Sequence, residues 1–536
     1  LKGKTKMKVL LVNPDVPDTF WSLKNALKFI SKKAILPPLG LLTVAGMLPK
    51  EWEIKLLDMT TERLRDRDIR WADCVFVTAM LIQQKSADQV IERCKKLGTR
   101  IVAGGPLFTS LPEQYIHVDH LVLKEAELTL PSFIRDLQEG CARKVYNTHE
   151  RADLCETPIP LWGLIDVQKY AMMCIQYSRG CPFDCDFCDV TTLFGHKIRT
   201  KTTDQVLEEL ESIYSLGWRG DVFFVDDNFI GNKARLKKEL LPAIIEWMKA
   251  RQRPFTFNTQ ASINLADDEE LMRLMVRAGF DCVFIGIETP NEESLAECNK
   301  VQNKGRDLVV CVKKIQEAGM QVQGGFILGF DSDDAGAFDN LIQFVQKSGI
   351  VMAMVGLLNA PRGTKLYQRL FAEQRLTTPA SGDNTDCSIN FIPKMGLENL
   401  VQGYQKVIHT LYSQKHYCER IKTFLKNYEA SSSKKARIRL HEIRILLKSL
   451  WHIGVLSKDR RYYWKLIFWA SRRRHYLRMS VILSIQGYHF RKIFKGLQQR
   501  AESLVRDSQT QLTGLTSRTR QSPILVAEKD TDAESS

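Results

Sequence analysis

The sequence has no run of about 18 or more apolar residues, the length a membrane-spanning helix needs, so permanent insertion into a bilayer is not expected. Its opening, LKGKTKMKVLLVNP, has no apolar signal core ahead of a small-residue cleavage site, and MKVLLVNP reads as a first strand. Cysteine is sparse. The 13 in 536 residues are odd in number and mostly scattered singly, which argues against a secreted disulfide framework and points to a reducing cytoplasm. No zinc-finger spacing, RNA-binding sheet signature or basic zipper is present. The net charge of +15 therefore predicts an anionic partner in general, and no specific nucleic acid.

At 536 residues the chain exceeds what one hydrophobic core fills, so several domains are expected. From Met7 short apolar runs alternate with amphipathic stretches: KVLLVNP, LGLLTVAGML, EIKLLD, ADCVFVTAM, RIVAGGP and HLVLKEAE. That alternation predicts a doubly wound parallel sheet over 7–140. Residues 141–170 have little periodicity and read as a linker. A second series, MMCIQYS, DVFFVDD, FTFNT, CVFIGIE, VQGGFILGF and VMAMVGLL, predicts about six βα units over 171–375, a partial (β/α)6 barrel resembling a TIM barrel. Strand signals then fade. Residues 376–504 read as amphipathic helices with a basic face, and 505–536, rich in Ser, Thr, Gln and charge, as a disordered tail. The fold class is α/β with a helical carboxyl-terminal region.

The stretch YSRGCPFDCDFCDV places Cys181, Cys185 and Cys188 in the order CxxxCxxC, in a loop that follows a strand. Thiolates suit zinc or iron-sulfur clusters. A closed zinc site needs a fourth ligand, for which His196 and Cys174 are the nearby candidates, and Cys174 lies inside a strand. Three ligands on a four-iron cluster instead leave one iron open for chemistry.

CxxxCxxC at the end of a barrel's first strand resembles the signature of the radical S-adenosylmethionine enzymes. The resemblance implies a 4Fe-4S cluster whose open iron is chelated by S-adenosylmethionine, which on reduction yields a 5'-deoxyadenosyl radical. It places Phe187 beside the adenine. Asp226, Asp227 and Asn228 in VFFVDDNF would hold the cofactor's amino group or ribose, or else form a turn and helix cap. Asn258 and Gln260 end the third strand, and Glu288 ends the fourth in FIGIE, which resembles the family's nucleoside-binding segment. A carboxylate buried there needs ribose hydroxyls or a structural Arg as partner.

Doubly wound sheets bind ligands beyond the carboxyl ends of their strands, which here carry Asn13, Pro14, Thr78, Gly104, Gly105, Pro106 and Glu125. KVLLVNP, ILPPLGLLTVAGML and IVAGGP upstream of CxxxCxxC resemble the cobalamin-binding class of these enzymes. The resemblance implies a cobalamin site that includes Thr78, Gly104, Gly105, Pro106 and Glu125. The Asp-x-His-x-x-Gly motif that supplies a histidine to cobalt in methionine-synthase-type domains is absent, since Asp119 and His120 are adjacent and no glycine follows in place. Cys74, Cys94, Cys141 and Cys155 form no second cluster motif, unlike the tRNA methylthiotransferases.

The class commonly methylates unactivated carbon; radical cyclisation or rearrangement without methyl transfer is the alternative. The segment WHIGVLSKDRRYYWKLIFWASRRRHYLRMSVILSIQGYHFRKIF, with the cysteine motif and TPIPLW, resembles the branch containing hopanoid C-2 methylases. That implies a hydrophobic substrate, such as a hopanoid or other membrane lipid, and a reductase or flavodoxin-like electron donor. The basic helices would then either touch a membrane peripherally or pack their aromatics on the barrel.

Overall fold

The structure is a computed structural model that describes residues 6–377, 381–383, 386–428 and 440–496; the expected tail over 505–536 lies outside them. Strand β1 (Lys8–Asn13) is apolar at successive positions because both of its faces are covered. Leu10 and Val12 enter one core, Val9 and Leu11 the other. With β2 (Glu53–Asp58), β3 (Cys74–Thr78), β4 (Arg100–Gly104), β5 (His120–Val122) and β6 (Val145–Tyr146) it forms a six-stranded sheet in the order 2-1-3-4-5-6, with every pairing parallel. The order reverses at β1, which opens a ligand crevice at the carboxyl edge between β1 and β3. Strand β6 falls inside the stretch expected to be a linker. It is only two residues long, too short for periodicity to reveal, and Tyr146 is fixed by donating its hydroxyl proton to Asp136 at 2.8 Å.

The second domain contains β7 (Met173–Ile175), β8 (Ser178–Arg179), β9 (Arg199–Thr200), β10 (Asp221–Phe224), β11 (Thr256–Ala261), β12 (Phe280–Glu288), β13 (Gln321–Leu328) and β14 (Ala353–Leu357). Strands β7 and β10 to β14 form one parallel sheet in chain order, and β14 does not pair with β7. The barrel is therefore open, a (β/α)6 arrangement as expected. Phe257, Thr259 and Ala261 of β11 are buried, whereas Asn258 and Gln260 alternate with them and face the lumen.

An open barrel leaves β14 as an edge with carbonyls to satisfy. The helix Leu397–Tyr412 covers it: Tyr404 donates to the Val355 carbonyl at 3.1 Å and Tyr412 to the Ala353 carbonyl at 2.5 Å. The helices Gln414–Asn427, Arg460–Ala470 and Arg474–Phe494 complete this region. Many of its aromatics pack inward. Phe490 stacks on Phe20, from the loop after β1, with ring centroids 4.2 Å apart.

That loop is also held by His489. Its Nε2 lies 3.1 and 3.2 Å from the Thr19 and Phe20 carbonyls, and its Nδ1 accepts from the Asn25 amide at 3.3 Å, which together fix a neutral ring protonated at Nε2. Burial pushes the imidazole below its usual value, against the pull of the two carbonyls and Asp18. A histidine that resists protonation when folded favours the folded state above its unfolded pKa of about 6.5, and that preference is lost as pH falls below it. Relative to the intrinsic exchange rate, amide hydrogen exchange in residues 15–30 should accelerate as pH falls below about 6.5. The acceleration should largely vanish in His489→Gln; an unchanged pH profile in that variant would exclude His489 as the cause.

Candidate functional site

The cysteine loop leaves the barrel after β7 and is clipped by the antiparallel pair β8–β9. Gly180 opens it at φ 97°, where a Cβ would lie 2.8 Å from the Lys197 carbonyl oxygen, so no other residue fits without displacing the return strand. The Cys181 amide donates to the Gly195 carbonyl and the Cys188 amide to the Cys185 carbonyl. Among the described residues, only Asp136, Glu139 and Cys141 bring metal-ligating atoms all within 4.8 Å of one another, and Asp136 there is already held by Tyr146, Arg135 and Arg143. The three motif sulfurs do not all lie within 4.8 Å of one another. Tetrahedral zinc, with Zn–S near 2.3 Å, would need its sulfurs about 3.8 Å apart.

Neither candidate for a fourth ligand serves. Cys174 is buried and donates to the Pro37 carbonyl at 3.6 Å, and His196 is exposed, with Nε2 4.0 Å from Asp184. Burial pushes all three motif thiols above their usual value, Cys188 to about 12. Metal binding to these thiolates must therefore release protons.

Phe187 packs against the Phe330 cluster, and its ring lies 5.9 Å from Lys300 Nζ. The partner of Glu288 is this lysine, not an arginine: Lys300 Nζ donates to Glu288 Oε1 at 2.6 Å, and the charge of Lys300 also bears on Cys185 and Cys188. Glu288 has φ 63°, a left-handed conformation that costs a β-carbon residue about 1–2 kcal/mol. Two amides support the same corner: Asn303 donates to the Gly286 and Ile287 carbonyls, and Gln302 Nε2 lies 3.8 Å from Cys185 Sγ. A Cβ at Gly286 would sit 2.3 Å from Glu288 Oε1 and 3.0 Å from Lys300 Nζ. Gly286→Ala is expected to open the ion pair and weaken S-adenosylmethionine binding on the order of tenfold in titrations of the reconstituted protein. Unchanged affinity would remove Glu288 from the nucleoside site.

The structure distinguishes the two adjacent aspartates. Asp226 is fully buried and accepts from the Tyr177 amide and from both the amide and hydroxyl of Ser178, so it ties β10 to the start of the cysteine loop and has little left to offer a ligand. Asp227 Oδ2 is buried and has no partner. Burial and the charges of Asp226 and Asp189 push the Asp227 carboxyl up to about 7. A buried acid near Cys181 with one oxygen bonded by the Gly180 amide and the other left over has room for a cation, which the ammonium or sulfonium of S-adenosylmethionine would provide, and the residues present fit that cofactor. Asn228 pairs with Ser262. Asn258 and Gln260 share the lumen side with Phe223, Phe284 and Met354. Trp21, from the loop after β1, closes on Phe284 with centroids 5.4 Å apart.

The carboxyl edge of the first sheet thus faces the barrel. Thr78 Oγ1 would lie 2.3 Å from a Cβ at Gly105, and the Val122 carbonyl 2.6 Å from one at Gly104, so this ledge must be free of side chains. Gly105 has φ 93°, and Pro106 starts a short helix. Glycine at both positions is thus explained by packing against β3 and β5. Thr109, Lys124, Asp189, Thr192 and Arg362 line the cleft between this edge and the cysteine loop. His120 and Asp119 are at the opposite end of the sheet, where Asp119 accepts from the Ile101 amide and His120 Nδ1 contacts the Arg143 carbonyl. Glu125 differs from the expected ligand role. Its carboxylate is taken up by Arg179, Arg199 and the Ala152 amide, because it caps the seam between the two domains.

Comparison with known proteins follows this geometry. A B12 binding domain model matches residues 29–134, the radical SAM superfamily matches 175–345, and a domain of unknown function matches 364–503. The chain is 39% identical over 511 residues to an uncharacterized methyltransferase of Synechocystis sp., covering 94% of each. It is 31% identical over 490 residues to the hopanoid C-2 methylase of Rhodopseudomonas palustris, covering 89% of this chain and 91% of that one. The chain belongs to the cobalamin-binding radical S-adenosylmethionine enzymes.

The resemblance seen in the motifs is borne out, and so are the cofactors that it implied: a 4Fe-4S cluster, S-adenosylmethionine and cobalamin. The cobalamin-dependent radical enzyme OxsB, solved with aqua-cobalamin and S-adenosylmethionine, shares the fold at TM-score 0.59 and 15% identity over 94% of this chain and 81% of that one. The methyltransferase TsrM from Kitasatospora setae, solved with cobalamin and a [4Fe-4S] cluster, does so at TM-score 0.52 and 17% identity over 69% of this chain and 78% of that one. Arg179, Arg199, Lys300 and Asn303 were not singled out by sequence reasoning. Only the Arg next to Gly180 and Cys181 in SRGC lay close enough to a motif to raise the question.

Proposed function

We propose that this radical S-adenosylmethionine enzyme transfers a methyl group to an unactivated carbon of a hydrophobic substrate, a hopanoid or another membrane lipid. The observation that supports the reading is a cleft lined by Thr109 and Lys124, from the carboxyl edge of the first sheet, and by Asp189 and Thr192, next to the cysteine loop. Cys181, Cys185 and Cys188 would hold the cluster. Phe187, Asp227, Asn228, Asn258, Gln260 and the Glu288–Lys300 pair would surround S-adenosylmethionine, with Asp226 positioning the loop. Thr78, Gly104, Gly105 and Pro106 would form the cobalamin ledge. When bound, these groups supply a hydrogen-abstracting radical and a methyl donor.

The chain's own part is geometric: it holds a substrate carbon between the two sites and excludes water. The lumen combines Phe223, Phe284 and Met354 with the amides of Asn258, Gln260 and Gln323, apolar and orienting polar side chains in equal number. Likeness to a hopanoid C-2 methylase supports a large apolar substrate. Electrons would come from a reductase or flavodoxin-like donor. No described helix is long and apolar enough to cross a membrane, so access to a lipid would be from the surface. Turnover with methyl-deuterated S-adenosylmethionine and a hopanoid acceptor should give a product carrying the labelled methyl. Product formed without label in its carbon skeleton would favour radical cyclisation or rearrangement instead.

A further inference from the structure

The helix Leu440–Ser449 continues through a π-helical turn, Leu450–Val455. Its inner side, Ile445, Leu446, Leu450 and Ile453, packs with Ala26 and Phe29 of the helix Lys24–Ile30 and with Tyr463 and Ile467. Its outer side is apolar as well. Ile443, Leu447, Trp451 and Val455 recur every fourth residue and are all exposed, Leu447 by 59% and Trp451 by 56%. Gly454 lies against Trp464, whose indole N–H donates to the Gly454 carbonyl at 2.9 Å; the Trp464 ring adjoins Phe468, 69% exposed. The stripe therefore runs on into a second helix. Exposed apolar surface of this extent marks an interaction site.

One residue further round the helix runs a basic row, Arg444, Lys448 and His452, also at fourfold spacing. It borders a pocket lined by Asn25, Lys28, Phe29, Lys448, His452, Tyr488 and Lys492, with three lysines and no carboxylate. Lys448 Nζ is anchored on the Lys28 carbonyl at 3.0 Å, and Lys492 Nζ lies 5.6 Å from the centre of the Tyr488 ring. Phe29 is edge-on to both His452 and Tyr488, with centroids 5.4 and 5.6 Å apart. Between Arg444 and Arg473 the sequence carries eight Lys or Arg and one acidic residue, Asp459.

We infer that this face docks on an anionic phospholipid surface, with the apolar stripe entering the acyl boundary and the Lys28–Lys448–Lys492 pocket receiving a lipid phosphate. Charge complementarity selects the partner. A protein groove would satisfy the stripe but leave the lysines unpaired, and nucleic acid would satisfy the lysines but not the exposed Leu447, Trp451 and Phe468. An in-plane amphipathic helix with a basic flank answers to both needs of a headgroup–acyl boundary. The inference rests on the reading of a membrane-derived substrate only for its purpose, because docking needs neither cofactor nor turnover.

The test is flotation of the full chain with vesicles of phosphatidylcholine alone and of phosphatidylcholine mixed with phosphatidylglycerol. Binding is expected only to the mixed vesicles and should weaken with salt. Lys28→Gln/Lys492→Gln should lose roughly thirtyfold in affinity, from two cationic contacts near the surface. Leu447→Ser/Trp451→Ser should lose at least tenfold, and both double variants should still cleave S-adenosylmethionine as the wild type does. Equal binding to both vesicle types, no binding to either, or salt-sensitive binding to RNA without vesicle binding would overturn the inference. Methyl transfer to a detergent-dispersed acceptor separates the two readings: label incorporation without vesicle binding overturns docking alone, and vesicle binding without label overturns the methyl-transfer reading alone.

Discussion

Cys181→Ala, Cys185→Ala and Cys188→Ala are each expected to reconstitute with iron near background and to form no detectable 5'-deoxyadenosine from S-adenosylmethionine under anaerobic reduction. The effect should be all or none because the described surroundings offer no replacement thiol or imidazole. Cys174 is turned to the Pro37 carbonyl, His196 points into solvent beside Asp184, and buried Cys298 donates to the Leu295 carbonyl. Cys174→Ala and Cys298→Ala are the controls: both remove a buried thiol close in sequence or space, and both should keep iron and cleavage. The three sulfurs do not all lie within 4.8 Å of one another, and Asp227 nearby keeps one buried oxygen without a partner, an arrangement that would suit a cluster and a cationic ligand. A wild type that loads zinc alone and cleaves nothing would remove the radical chemistry and leave a structural metal loop.

Much of this was legible in the residues, for identifiable reasons. A strand buried on both faces is apolar at every position, and KVLLVNP shows that directly. CxxxCxxC could be read because all three ligands fall within one short loop. The rest depended on contacts that no local pattern encodes. In VFFVDDNF, two identical side chains stand next to each other, and only the fold turns Asp226 to Ser178 while leaving Asp227 Oδ2 without a partner. Lys300 reaches Glu288 from a turn that follows an intervening helix, in a segment with no periodicity. Glu125 sits at a strand end, where ligand-binding residues usually lie, and yet it serves the seam between domains because two arginines from the second domain arrive there. The aromatic carboxyl-terminal helices divided as their sequence left open, with Phe490 packed inward and Trp451 outward.

That seam sets the second large effect. Arg179 immediately precedes the hinge Gly180 of the cysteine loop, and it donates to Glu125 at 2.9 Å and to Glu127 at 2.8 and 3.1 Å. The side chains of Glu125 and Glu127 are only 3% and 6% exposed. Arg179→Met would leave Glu125 with Arg199 and the Ala152 amide but the buried Glu127 with no cation and only neutral donors such as Thr157, and breaking such a pair from one side costs about 3–5 kcal/mol. Hydrogen exchange should rise on both sides of the seam, over 125–130 and 176–200. Methyl transfer should fall further than 5'-deoxyadenosine formation, since transfer alone requires the two domains in register. Arg362→Met, which breaks a half-exposed pair with Glu113 across the same cleft, should cost under about 1 kcal/mol.

The acid limb provides an independent check of the same contact. Burial would raise the Glu127 carboxyl, but the hydrogen bonds and charge of Arg179 outweigh it and hold the group below its usual value. Its contribution is therefore complete above about pH 4.5 and is lost as pH falls below that toward the folded pKa. Wild type should lose stability over that interval more steeply than Arg179→Met, in which the paired state no longer exists. Parallel acid limbs in the two proteins would show that the Glu127 carboxylate is not sustained by Arg179, and the charged contact across the seam would then rest on Arg199 and Glu125.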